Sequence, residues 1–171
     1  MVRVPKDRVA VLIGKKGEVK RELEQQARIR ITVDSKEGEV TISGKDALRL
    51  YSAKEIIKAI ARGFNPDIAL LLLRQDYLFE LIDLTDFVST KNHLLRIKGR
   101  LIGTEGKSRR IIEELTDTNI SVYGKTVSII GNIEKVPIAR RSIEMIISGS
   151  PHAKVYQFLE RMHVKMHRSM H

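Results

Sequence analysis

The chain has 171 residues, enough for one large or two small domains, and carries 31 Lys and Arg against 21 Asp and Glu, a net charge of +10. That surplus points to a polyanionic partner, nucleic acid before an anionic membrane surface. The absence of cysteine rules out disulfides, a thiolate zinc site and a cysteine nucleophile.

In chain order, residues 1–4 are predicted to form a first strand. No signal-peptide core is seen there: Arg3, Lys6, Asp7 and Arg8 stand in its place, and no apolar run reaches transmembrane length. A soluble, cytoplasmic protein is expected, with no membrane contact. Val11-Leu12-Ile13 then runs into Gly14-Lys15-Lys16-Gly17. A helix follows on Val19, Leu23 and Ala27, with Glu18, Glu22, Glu24, Lys20 and Arg21 read as ordinary solvated ion-pair patterning. An alternating strand is predicted over 28–33, a polar turn over 34–39, a second strand ending at Gly44 and a longer helix over 46–62. Asn65-Pro66 is a helix start, with Asn as cap and Pro in the first turn. The run Ile68-Ala69-Leu70-Leu71-Leu72-Leu73 is too apolar for a flexible linker and is expected to pack between the units and fix their orientation.

The same plan then returns. With the numbering shifted by 89, Leu12-Ile13-Gly14 falls on Leu101-Ile102-Gly103, Gly17 on Gly106, Lys20-Arg21 on Arg109-Arg110 and Glu24 on Glu113. The shift drops to 87 at Gly44 and Gly131, and to 86 at Ile57 and Ile143. Matches in one order with two small length changes mark a tandem duplication. In the second copy a strand is predicted over 78–84, helices around the Gly-x-x-Gly, a strand over 119–123, the short turn Gly124-Lys125, a strand ending at Gly131 and a helix over 135–148. The expected division is 1–63, a helical linker at 64–77, 78–150, and a C-terminal helix at 151–171 that Ser150 caps. That tail carries an apolar stripe of Val155, Phe158, Leu159 and Met162. His163, His167 and His171 share a helix face there at metal-capable spacing, but without a nearby carboxylate or cysteine they are not taken as a metal site.

Strand, helix, Gly-x-x-Gly, helix, strand, strand, helix, seen twice, resembles the KH domain of eukaryotic type (type I). The resemblance implies an α+β fold: two tandem KH domains, each a three-stranded sheet with three helices on one face, joined through a helical linker. It also implies a groove for single-stranded nucleic acid beside each Gly-x-x-Gly. The residue chemistry agrees. A helix start offers free backbone N–H groups and the positive end of the helix dipole, and glycine lets a phosphate approach the main chain. RNA-binding candidates are Gly14, Lys15, Lys16, Gly17, Lys20, Arg21, Arg28, Arg30 and Ile31 in the first copy. In the second they are Gly103, Thr104, Gly106, Lys107, Arg109 and Arg110. Val11, Ile13, Ile31 and Val33 are expected to wall the first groove. Glu105 opposes phosphate in the second loop. Residues 1–63 hold 15 basic and 9 acidic residues, net +6, and residues 79–150 hold 11 and 9, net +2, so the first copy is expected to grip RNA more strongly.

The linker motif Ala61-Arg62-Gly63-Phe64 through Leu70-Leu73, with Gly149-Ser150-Pro151-His152 and onward, is similar to the two-KH small-subunit assembly factors, the partner of Nob-one and its KRR-type processome relative, in an archaeal form. This resemblance implies binding near the 3′ region of small-subunit ribosomal RNA. It further implies contact with the Nob-one endonuclease and with the alpha subunit of translation initiation factor two. No cofactor and no enzymatic activity are expected, since no cluster of catalytic groups stands out. The competing reading is a protein-docking scaffold with degenerate KH units and weak RNA affinity. The residues alone do not separate RNA from single-stranded DNA.

Overall fold

In the computed structural model, which describes residues 1–169, the chain divides into two units, Met1–Phe79 and Glu80–His171. The first runs β1 (Val2–Arg3), α1 (Lys6–Ile13), α2 (Glu18–Ala27), β2 (Arg30–Asp34), β3 (Glu39–Ser43), α3 (Ala47–Ala61) and α4 (Pro66–Ala69). The second runs β4 (Tyr77–Asp83), which straddles the division, then α5 (Lys91–Ile102), α6 (Lys107–Thr116), β5 (Asn119–Tyr123), β6 (Thr126–Asn132), α7 (Val136–Ile147) and α8 (His152–Ser169).

The first sheet has the order β1-β3-β2 and the second β4-β6-β5. Both hairpins are antiparallel, with Ile31 opposite Ile42 and Ile120 opposite Ile129. Strand alternation sorts the side chains by face. In β2, Ile31 is buried between the exposed Arg30 and Thr32. Val40 in β3 and Val127 and Ile129 in β6 have no exposed surface. The same is true of Ile60 in α3 and Ile146 in α7, whose burial is worth roughly 1.5–3 kcal/mol each. The short turn Gly124-Lys125 closes β5 on β6, with Tyr123 opposite Thr126.

The caps explain where helices begin. The Asp46 side chain accepts from the Leu48 N–H at 2.9 Å, that of Asn65 from Asp67 at 2.8 Å, and that of Thr90 from His93 at 3.2 Å. The expected linker helix is one α turn, α4, followed by a 3₁₀ turn over Leu70–Leu73, after which Arg74 is already extended. Helix α8 starts at His152 directly after Pro151. The first carbonyl of α8 is that of Pro151, which accepts from the Lys154 and Val155 N–H groups, so Pro151 holds the cap position expected of Ser150; the Ser150 carbonyl accepts from Arg100. Arg28 is not in a strand. It ends α2 in the left-handed conformation (φ 56°), as Asp117 (φ 52°) ends α6. The next N–H then folds back at 3.2 Å in both units, Ile29 to the Glu24 carbonyl and Thr118 to that of Glu113.

One tie recurs in altered form. Arg8 on α1 donates to the carbonyls of Ile60 and Phe64, both at 2.8 Å, at the end of α3. Arg100 on α5 donates to those of Ile146 and Ser150, both at 2.5 Å, at the end of α7. Each guanidinium adds a second donor to a last-turn carbonyl, which already accepts from Gly63 or Gly149, and closes one carbonyl just past the helix end.

Candidate nucleic-acid interface

The Gly-x-x-Gly turns are built alike. Gly14, Lys16 and Gly17 have φ of 74°, 54° and 77°, and Gly103, Glu105 and Gly106 have 77°, 54° and 76°. Glycine is required at the first position. A Cβ on Gly14 would stand 2.4 Å from Val19 Cγ2 and 2.9 Å from the Val19 backbone nitrogen, and one on Gly103 would stand 2.7 Å from the Ser108 nitrogen. The second glycine, left-handed, is the N-cap of α2 or α6 and brings no side-chain cap bond. The N–H of Glu18 and that of Lys107 close on the Lys15 and Thr104 carbonyls, and no side chain caps the N–H groups that follow them, which is where a helix start meets an anion.

Lys15 and Lys16 stand exposed on the first turn, and among the described residues no carboxylate pairs with either. Arg21 turns back on the loop and donates to the Lys16 carbonyl at 2.8 Å, bracing the left-handed residue. Lys20 is half-buried, and Arg28 and Arg30 are exposed. Arg30 points to the open face of the sheet, opposite the helices. Ile31 is 2% exposed, so its side chain belongs to the core and not to a groove wall. Val11, one turn from Arg8 on α1, is half-buried. Ile13 and Val33 remain half-buried, as an apolar groove wall requires.

In the second unit Thr104, Glu105, Lys107 and Arg110 are exposed. Arg109 is held by Glu113 at 2.9 Å. Helix α8 packs on α6 and α7, with Val155 and Leu159 fully buried and the His163 ring 3.1 Å from the Leu115 carbonyl oxygen. The His163 and His167 rings meet edge to face at 4.3 Å. His171 lies outside the described residues.

Sequence reasoning missed Glu24 and Glu113. Glu24 is not a solvated ion-pair member. Its Oε2 accepts the Ile31 N–H at 2.9 Å, and Glu113 Oε2 accepts the Ile120 N–H at 2.8 Å. A signal for them exists: the two glutamates coincide under the same shift of 89 as the loops.

A three-stranded antiparallel sheet with a glycine-bounded turn between its first two helices, built twice, defines a tandem KH protein. Residues 1–59 match the KH domain model, and residues 78–164 match that of the eukaryotic-type KH domain (type I) from the second position of PNO1. A KH domain-containing protein of Methanocaldococcus jannaschii is 50% identical over 99% of this chain and 76% of its own length. The pre-rRNA-processing protein pno1 of Aspergillus fumigatus is 32% identical over 84% of this chain, which spans only 58% of that protein. A chain in the crystal structure of an a/eIF2alpha–aDim2p–rRNA complex from Pyrococcus horikoshii superposes with a TM-score of 0.90 at 46% identity, covering 96% of this chain and 93% of that one. The chain belongs to the PNO1/Dim2 family of type I KH proteins.

Proposed function

We propose that this protein binds single-stranded RNA through the grooves beside Gly14–Gly17 and Gly103–Gly106 and serves as an RNA-binding adaptor in small-subunit ribosomal RNA maturation. The observation that carries the reading is the pair of Gly-x-x-Gly turns with matching backbone angles, each opening a helix whose first N–H groups have no side-chain cap. Support for the ribosomal context comes from relatives described as pre-rRNA-processing proteins and from the complex with rRNA. The 3′ region is the proposed target within that RNA. The alpha subunit of translation initiation factor two and the Nob-one endonuclease are the proposed protein partners. The chain itself carries out no catalytic step in this scheme.

Crosslinking the protein to total RNA, followed by sequencing, tests it. Reads should accumulate in small-subunit rRNA near its 3′ end. An even spread over all transcripts would sink the assignment. Duplex RNA should bind less well than the same sequence single-stranded, because the groove takes unstacked bases.

A further inference from the structure

Strands β2 and β5 are the outer strands of their sheets. Their outer edges carry backbone groups that no neighbouring strand takes up. In each unit one such N–H, from Ile31 or Ile120, is met by a glutamate of the preceding helix. A carboxylate has two oxygens, and the bond uses one. The second oxygen is treated differently in the two units. In the first, Glu24 Oε1 has no partner among the described residues, and Lys20, one turn before it, makes no ion pair with it. In the second, Glu113 Oε1 is bound by Arg109 Nη1 at 2.9 Å, and the Arg109 side chain is 36% exposed while that of Glu113 is 19% exposed. The same place on the same strand edge therefore ends in a bare acceptor in one unit and in guanidinium donors in the other. From Gly17 to Glu24 is about two turns of α2, roughly 10 Å along the helix from the phosphate cradle.

We propose that Glu24 and Arg109 are base-reading residues of opposite sense, a claim that rests on the RNA-binding reading above. Glu24 accepts from the exocyclic amino group of adenine or cytosine lying against β2. Arg109, fixed by Glu113, donates to the carbonyl oxygen of guanine or uracil lying against β5. Amino and keto groups occupy corresponding positions on the base edge, so an acceptor and a donor select complementary halves of the alphabet. Arg109 is then more than a plain phosphate contact. The backbone edge supplies the register and these two side chains supply the choice.

Selection from a randomised single-stranded RNA pool by the full chain, read by sequencing, tests this. Glu24→Gln keeps an oxygen for the Ile31 N–H and replaces the free acceptor with an amide donor. It should move one position of the selected motif from amino to keto bases, changing that ratio about tenfold. Lys20→Arg, which keeps the charge and the long aliphatic stem of this half-buried residue, should do the same by installing the Arg109–Glu113 arrangement in the first unit. Arg109→Ala should move a different position from keto to amino by freeing Glu113. If the unaltered protein retains no RNA, the RNA-binding reading itself fails. If it selects a motif and neither Lys20→Arg nor Glu24→Gln alters any base ratio, the reading of Glu24 is overturned and the glutamates are only ties between helix and strand.

Discussion

The two Gly-x-x-Gly turns agree in backbone and disagree in charge. Their positive φ values differ by 3° at most between units, yet one displays Lys15-Lys16 and the other Thr104-Glu105. The backbone is fixed by contacts behind it, Val19 against Gly14 and Ser108 against Gly103. The side chains between the glycines touch nothing that shapes the turn, so their charge can change without altering the cradle. Turn geometry and turn charge are thus separable properties of one loop.

The largest effects should come from attacking the shared geometry. Gly14→Ala and Gly103→Ala each force a Cβ into space already filled, at a φ that side chains avoid. Each should cost about 3 kcal/mol or more of stability, read by chemical denaturation. A large loss for Gly14 and none for Gly103 would show that the two turns are held by different means. Next come the guanidinium ties. Arg8→Ala and Arg100→Ala each remove two hydrogen bonds to carbonyls at or just past a helix end, and each should cost about 2 kcal/mol by the same measurement.

The charge difference is tested by Lys15→Asp with Lys16→Asp against Thr104→Asp with Glu105→Asp. Aspartate tolerates the left-handed position at 16 and 105, so both variants should keep their circular dichroism spectra. The lysine pair should lose at least tenfold in RNA affinity, about 1.4 kcal/mol, by fluorescence anisotropy. The second pair should lose less, since an acid is already there. The salt slope should also fall by about 0.7 for every phosphate that a variant no longer neutralises. A greater loss from the second pair would make the second unit the principal grip, with Lys107, Arg109 and Arg110 outweighing Glu105. The smallest effect concerns Ser108, whose buried hydroxyl has no hydrogen-bond partner among the described residues. Ser108→Ala should be neutral or raise stability by up to about 1 kcal/mol, because it removes a desolvated polar group.

What is legible in the sequence follows from how each signal arises. The duplication, the strand-helix order, the Asn65 cap and the two-residue turn at Gly124 are all local in sequence, and local chemistry decides them. The repeat aligns Gly44 with Gly131 but offers no reason for either. The fold supplies one: a Cβ at Gly131 would stand 2.7 Å from Thr118 Cγ2, and one at Gly44 3.2 Å from Ile29 Cγ2. Arg28 reads as strand because β-like alternation begins at that residue. A left-handed helix end has no periodicity to announce it. Glu24 reads as a surface charge because its helix is rich in charges. Its role depends on a strand edge seven residues later that only the folded chain brings within 2.9 Å. Ile31 reads as groove wall because apolar residues of a strand look alike in sequence whether they face a ligand or the core.

The paired arginine ties also carry a history. Under the shift of 89 that aligns the first helices, Arg8 corresponds to Ile97 and Val11 to Arg100. Position-by-position comparison of the halves would score two unrelated substitutions. Yet both cations close carbonyls that correspond to each other, Ile60 with Ile146 and Phe64 with Ser150, under the later shift of 86. The two ties meet corresponding acceptors from arginines that stand three residues, about one helical turn, apart in the aligned helices. Descent from a common ancestor is therefore recorded here in which valences are filled, and a family tree drawn from letters alone would count this inheritance as divergence.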